Sequence, residues 1–227
     1  MLEKIKQYLR IFYLRFKYKA SNVMIHRSSI VYKDLELEGY NQIFQNTFFK
    51  GSLGFGSYIS SNCRLSADIG RFTSVGPWVM SNSGRHAYQD PYVTTSPLFF
   101  SLRNKKMTFA KKQVFEEFSF YDVQRKIDIR IGSDCWIGEN VFFVGGVEVN
   151  DGAVVLAHAV VTKNVPPYAI VGGIPAKILR YRYNQETIDF LQRVKWWNNS
   201  KEWFEINWEL LNDIEKLKQY YNNDRRC

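Results

Sequence analysis

Three histidines, His26, His86 and His158, and three cysteines, Cys63, Cys135 and Cys227, are the side chains of this chain best suited to moving protons, holding a metal or attacking carbon. The histidines lie 60 and 72 positions apart, and the cysteines are odd in number with no close pair, so neither set has the spacing of a metal site. A lone imidazole is then most useful as a base, because its ordinary pKa lets it take up and return a proton near neutrality. His86 is the candidate by its setting. It follows Ser83-Gly84-Arg85 and precedes Ala87-Tyr88 and Thr94-Thr95-Ser96-Pro97, in a stretch that obeys no period. His26 has no partner that the sequence identifies.

The elements that must hold these groups are set by a repeat. From Ile131 an apolar residue returns every sixth position, at Ile137, Phe143, Val149, Val155 and Val161. Small or branched residues follow four places after each, at Cys135, Val141, Val147, Ala153, Ala159 and Val165. A helix would repeat near 3.6 and a half-buried strand at 2, whereas a sustained six with glycines inside it marks a parallel β-helix, which buries its core only by stacking on itself. Cys135 falls on the inward series and Cys63 fits the same place in an earlier unit, so both are packing residues rather than nucleophiles. An earlier series runs Val31, Leu37, Ile43 and Phe49, then Leu53, Ile59, Leu65, Ile69 and Val75. One step in it is four residues, and Phe44, Phe48, Phe49, Phe55 and Tyr58 crowd it, so irregular early coils are expected. Those aromatics could line a sugar or drug pocket, but packing contacts are the preferred reading. Between Val79 and Lys126 the period vanishes, and an insertion this long inside a compact repeat is normally functional.

The run Trp136-Ile137-Gly138-Glu139-Asn140, then Gly145-Gly146-Val147, then Val165-Pro166-Pro167-Tyr168-Ala169-Ile170-Val171-Gly172-Gly173-Ile174-Pro175-Ala176-Lys177, resembles the hexapeptide-repeat acyltransferases. Within them it is most similar to the xenobiotic and polysaccharide O-acetyltransferase branch, which the Lys195-Trp196-Trp197 corner also resembles. The resemblance implies a left-handed parallel β-helix with about three hexapeptides per coil. It also implies a homotrimer, acetyl-coenzyme A as donor, and one histidine on a protruding loop as general base, here His86. The left hand comes from the resemblance alone, since the usual crossover rule favours the right.

The family's coenzyme groove runs along the later coils. The matching positions are Ala157, Ala159, Thr162, Lys163, Gly172 and Gly173, with Lys177 and Arg180 for the phosphates. Trp136, outward-facing, and Tyr88, in the loop, are candidates for the acceptor side; Trp136 could equally be a trimer contact. His158 stands at a corner where the family has a small residue, either near the coenzyme groove or, preferably, as a solvated side chain. Some left-handed β-helices are zinc carbonic anhydrases, but the histidine gaps argue against a metal here. The expected activity is O-acetylation of a carbohydrate, a cell-envelope or capsular polysaccharide or its precursor. A streptogramin- or chloramphenicol-type antibiotic comes second and amino-sugar N-acetylation third. A non-catalytic trimeric scaffold or binding module is the reading of another class.

The ends of the chain read differently. Residues 1–20 form a basic amphipathic helix with Leu2, Ile5, Leu9, Phe12 and Phe16 as its apolar side. It either caps the open end of the β-helix, which is preferred, or lies on an anionic membrane. The β-helix spans 21–176 with its inserted catalytic loop at 80–126. Residues 177–227 form a helical extension, with one helix starting at Asn184 and a second, carrying Trp203, Ile206, Leu210, Ile214, Leu217 and Tyr221, after Asn199 or Ser200. The fold class is therefore mainly β with helical ends. No run is apolar enough to span a membrane, no leader is evident, and the cysteine usage suits a reducing compartment, so a cytoplasmic protein is expected. The net charge of +9 and the pI near 9.4 come without a nucleic-acid motif. They suit phosphates of a coenzyme or precursor, or an anionic membrane.

Overall fold

The computed structural model of the chain describes residues 2–32 and 34–223, with side chains from Ile5 onward; Cys227 and the side chain of Leu2 lie outside the described residues. The six-residue period becomes a parallel solenoid with three faces. Two-residue strands stack along the first: Met24–Ile25, Gln42–Ile43, Tyr58–Ile59, Ser74–Val75, Trp136–Ile137, Val154–Val155 and then Ala169–Gly172. The second face carries Ile30–Val31, the starts of Phe48–Leu53 and Arg64–Ile69, then Met80–Asn82, Phe142–Val144 and Val160–Val161. The third carries Glu36–Leu37, the ends of those two long strands, Ile129–Ile131 and Glu148–Val149. Every residue of both inward series from Ile131 to Val165 is buried. The interior has room for one ring of side chains per turn, which is why small residues alternate with larger ones.

The early coils break the six-residue period at one step, as expected, yet keep their pairing. The step from Phe49 to Leu53 is taken inside one six-residue strand with Phe49, Gly51 and Leu53 all inward, and Arg64–Ile69 repeats it directly above. The strand runs continuously where a corner would be, so paired residues there are 16 apart, Phe48 with Arg64, rather than 18, Trp136 with Val154. Gly51 makes this bend feasible. Its φ is +125° and a Cβ would sit 2.0 Å from the Ala67 carbonyl oxygen. The crowded aromatics split: Phe49 is core, Phe48 meets Tyr32, Phe44 meets Tyr58, and Phe55 faces the C-terminal helices.

Both ends of the solenoid are covered. Helix α1 (Leu2–Lys17) lies over the first turn, where Gln7 donates to the Ser29 and Val31 carbonyls, Arg10 to Val31, and Arg15 to Ile25. These side chains answer the carbonyls that an open end leaves unpaired. Among the described side chains of α1 the buried ones are Ile11 and Leu14, while Ile5, Leu9, Phe12 and Phe16 face solvent. The helix thus caps the solenoid through the side opposite to the expected apolar stripe, because that side also carries the donors. At the far end, Lys177–Tyr181 turns back and pairs antiparallel with Ala169–Gly172, so the expected helical extension from 177 begins with a strand.

Asn184 caps helix α2 (Gln185–Val194) by accepting from the Thr187 N–H, and Ser200 caps α3 (Lys201–Asn207) in the same way through Trp203. The expected long second helix is broken at Asp213, which caps the separate helix α4 (Ile214–Asn223) through the Glu215 and Lys216 N–H groups. These helices fold back on the solenoid. Trp196 packs on Phe72 at 5.2 Å, Trp197 is buried, and Arg182 bonds Asp134 at 2.9 Å and the Gly152 carbonyl at 2.8 Å.

One turn opens. Paired residues across it, Ser74 and Trp136, are 62 apart, because the chain leaves after Asn82 and returns at Ile127. Strand Met80–Asn82 still belongs to the second face, so the excursion starts slightly later than sequence reading placed it. It departs from the corner between the second and third faces. Its two arms are zipped at the root, where Arg85 N–H donates to the Glu117 carbonyl and Ser119 N–H to that of Ser83. Gly145, at the next corner, lies under both arms: a Cβ there would meet the Ser119 carbonyl at 2.2 Å and Ser83 Cα at 2.6 Å. The return is braced by Arg125 on Asp68 at 2.7 Å, and by the buried Asp128, which accepts from Ser81 Oγ at 2.9 Å.

Two outcomes are expected. Gly51→Ala should destabilise the whole solenoid by at least about 3 kcal/mol in chemical unfolding. Gly145→Ala should leave most of that stability but speed tryptic cleavage at Arg103 to Lys112 in the lifted excursion. Burial pushes the thiols of Cys63 and Cys135 up, to about 11 and about 12. In a Cys227→Ser variant, folded protein near pH 8 should barely react with a thiol reagent, whereas unfolded protein should titrate both.

Candidate active site

The excursion builds its own small core before it presents anything to solvent. Phe100 is buried, with Phe115 at 5.3 Å, Tyr92 at 6.4 Å and the His86 ring edge-on at 6.3 Å. Tyr92 ties the far side by donating to the Val114 carbonyl at 2.7 Å. Glu117, also buried, accepts from Ser101 Oγ at 2.5 Å and from Gln113 Nε2 at 2.9 Å. The segment carrying His86 is thereby fixed on both sides, by the zipped arms behind it and the aromatic cluster beside it.

His86 Nδ1 lies 3.0 Å from the carbonyl oxygen of Thr95. A carbonyl only accepts, so Nδ1 holds the proton and Nε2 carries the lone pair. His86 lines a cavity of about 460 Å³ together with Pro97, Leu98, Ser101, Arg103, Asn104, Met107, Thr108 and Glu117. One wall is apolar, from Pro97, Leu98 and Met107. The other is polar, with Arg103 Nη1 4.0 Å from Glu117. A fixed tautomer beside a cavity of mixed polarity can accept a proton from a hydroxyl held there.

Several residues expected to share this site lie elsewhere. Tyr88, in the same loop, is 73% exposed and does not line the cavity. Trp136, 53% exposed, is on the first face, opposite the corner that the excursion leaves. Ala157, Gly172 and Gly173 gather at the corner between the first and second faces, while Thr162 and Lys163 follow the second face at the excursion's own corner. Lys177 and Arg180 are exposed on the terminal hairpin. Ala159 has its side chain in the core, its N–H bonded to the Leu156 carbonyl and its own carbonyl accepting from Phe142. The open part of that corner belongs to Ala157 and His158.

His158 has φ +62°, and the equivalent corner positions are Asn46, Asn62, Trp78 and Asn140 at +57°, +62°, +61° and +55°. It occupies a left-handed place that asparagine fills in three other coils and Trp78 in one, with Nε2 3.8 Å from Glu139 and the side chain in solvent. His26 is exposed with Nδ1 2.9 Å from Ser28 Oγ. Among the described residues no group of three or more His, Cys, Asp and Glu could hold a metal ion. Sequence reading missed the Thr95 carbonyl, which has no side-chain signature, and the polar wall of Ser101, Arg103 and Glu117, which no period marks. The aromatic spacing of Tyr92, Phe100 and Phe115 was the available signal for the loop core.

Comparison with known proteins agrees with this architecture. The profile of the family described as bacterial transferase hexapeptide (six repeats) matches residues 128–163, the turns that follow the excursion. A probable macrolide acetyltransferase of Lysinibacillus sphaericus is 35% identical over 68% of this chain and 81% of its own. A chloramphenicol acetyltransferase of Escherichia coli is 38% identical over 57% and 58%, so the chain spans little more than half of that relative's length. One of Agrobacterium fabrum is 32% identical over 69% and 72%. Repeat, stacked turns and relatives converge, and the chain belongs to the bacterial hexapeptide-repeat acetyltransferases.

Proposed function

We propose that the protein transfers an acetyl group from acetyl-coenzyme A to a hydroxyl of a small-molecule acceptor, with His86 as general base. The observation that carries this is the Nδ1 bond to the Thr95 carbonyl, which leaves Nε2 as the proton acceptor at the cavity. Nε2 takes the hydroxyl proton as the acceptor oxygen attacks the thioester carbonyl carbon. The C–S bond then breaks and the coenzyme leaves as its thiol, having received that proton from the imidazole. No acyl-enzyme is needed, and the buried Cys63 and Cys135 are unsuited to form one.

The coenzyme is proposed to lie along the outer corners at Ala157, Thr162, Lys163, Gly172 and Gly173, with Lys177 and Arg180 near its phosphates. In one chain most of these are a face away from the His86 cavity. A homotrimer, in which one protomer's excursion meets its neighbour's corners, supplies the missing wall. For the acceptor, relatives named macrolide and chloramphenicol acetyltransferase favour a hydroxylated antibiotic over the carbohydrate that sequence reading put first. The apolar wall of Pro97, Leu98 and Met107 supports that preference, since a glycan chain presents mostly hydroxyls.

The test is release of free thiol from acetyl-coenzyme A with chloramphenicol, a macrolide and a panel of glycans. Turnover is expected with an antibiotic; turnover with glycans alone would reverse the acceptor assignment. His86→Ala should lower kcat by about 10²- to 10⁴-fold and leave coenzyme binding nearly unchanged by calorimetry. A variant with undiminished kcat would remove His86 from the reaction.

A further inference from the structure

Helix α1 has two apolar sides, and the solenoid uses only one of them. Ile11 and Leu14 are 3% and 2% exposed on the first turn. Ile5, Leu9, Phe12 and Phe16 recur at steps of three and four, which on helical geometry places them in one stripe on the opposite side. Phe12 is 67% and Phe16 75% exposed. A contiguous stripe of large apolar side chains left in water marks a surface that something covers. At the C-terminal part of α1, Arg15 also borders a groove of about 790 Å³ walled by Val23, Met24, Tyr40 and Phe44, with Lys19 among its walls.

Charge identifies the occupant. Residues 1–33 hold eight Lys and Arg against one acidic residue, Glu3, which is seven of the nine net positive charges of the chain. On the helix, Lys6 and Lys17 border the stripe on one side and Arg15 on the other. A second copy of this surface would bring the same positive charge against it and be repelled. An anionic bilayer offers the opposite charge and an apolar phase together.

We propose that α1 docks the protein on an anionic phospholipid surface. It lies in the interface with Ile5, Leu9, Phe12 and Phe16 among the acyl chains and Lys6 and Lys17 at the level of the phosphates, while Ile11 and Leu14 keep the solenoid closed. The assignment is independent of the acetyl-transfer reading.

The test is flotation of the full chain with vesicles of phosphatidylcholine alone and of phosphatidylcholine with phosphatidylglycerol. Wild-type protein is expected to float with the anionic vesicles, less with the neutral ones, and to be released as salt is raised. The variant Leu9→Ser/Phe12→Ser/Phe16→Ser should lose about tenfold in partitioning with its melting temperature unchanged, since those side chains do not support the solenoid. Lys6→Glu/Lys17→Glu should lose the preference for anionic vesicles. Absence of wild-type flotation, or equal flotation by the triple-serine variant, overturns the proposal. So does a fall of that variant to a smaller species in sedimentation with neither form floating, which would assign the stripe to self-association.

Discussion

The constraint on which the molecule depends is the width of its interior. A parallel coil that encloses one ring of side chains per turn leaves no freedom at the inward positions: Phe49 and Leu65 stack, then Ile137 and Val155, and a backbone such as that of Gly51 passes within contact of Ala67. Every turn must repeat its neighbour's register, because a slip of one residue would send the inward set outside. Variation is therefore pushed to the corners, the only places where the chain can leave and return without breaking a ladder. The excursion uses one such corner. It departs after Asn82 and rejoins at Ile127 without disturbing the pairing of Ser74 with Trp136 or Met80 with Phe142.

A solenoid also has ends, and each is closed by a different means. At the start, α1 supplies side-chain donors from Gln7, Arg10 and Arg15 to carbonyls with no strand beyond them. At the finish, the strand reversal at 173–176 lets Lys177–Tyr181 satisfy the last parallel strand antiparallel, after which α2 to α4 cover the flank through Phe72, Trp196 and Phe204. Arg182 joins these parts. It bonds Asp134 and the Gly152 carbonyl while its guanidinium lies 5.3 Å from the Tyr168 ring. Burial holds the Asp134 carboxyl above the usual carboxylate range, and Arg182 offsets only part of that rise.

What was legible in the sequence follows from this division. The coil could be read because its inward residues are set by packing, and packing repeats; Ile131 to Val165 fell inside without exception. Caps at Asn184 and Ser200 could be read because a side chain performs them. The side of α1 that meets the solenoid could not, since hydrophobicity alone favours Leu9, Phe12 and Phe16, whereas the unpaired carbonyls select the side with Arg10 and Arg15. The returning strand Lys177–Tyr181 carries only exposed residues and so has no alternation to detect. Within the excursion, His86 was recognisable from its setting. Its orienting partner was not, because Thr95 acts through its backbone.

That partner is informative about the chemistry. A carboxylate on Nδ1 would fix the ring and also stabilise the imidazolium that forms when Nε2 takes a proton. A carbonyl carries no net charge, so it fixes the ring and the tautomer and adds only the weaker pull of a dipole. The reaction has to be one in which positioning matters more than a strongly assisted base. A thioester donor meets that condition, because a thiol leaves far more readily than an alcohol or amine and less of the barrier falls on proton abstraction. Glu117, a buried carboxylate of the same cavity, is occupied by Ser101 and Gln113 in shaping its wall instead. The excursion thus spends its buried polar groups on holding His86 and the wall still, which is what the proposed transfer asks of it.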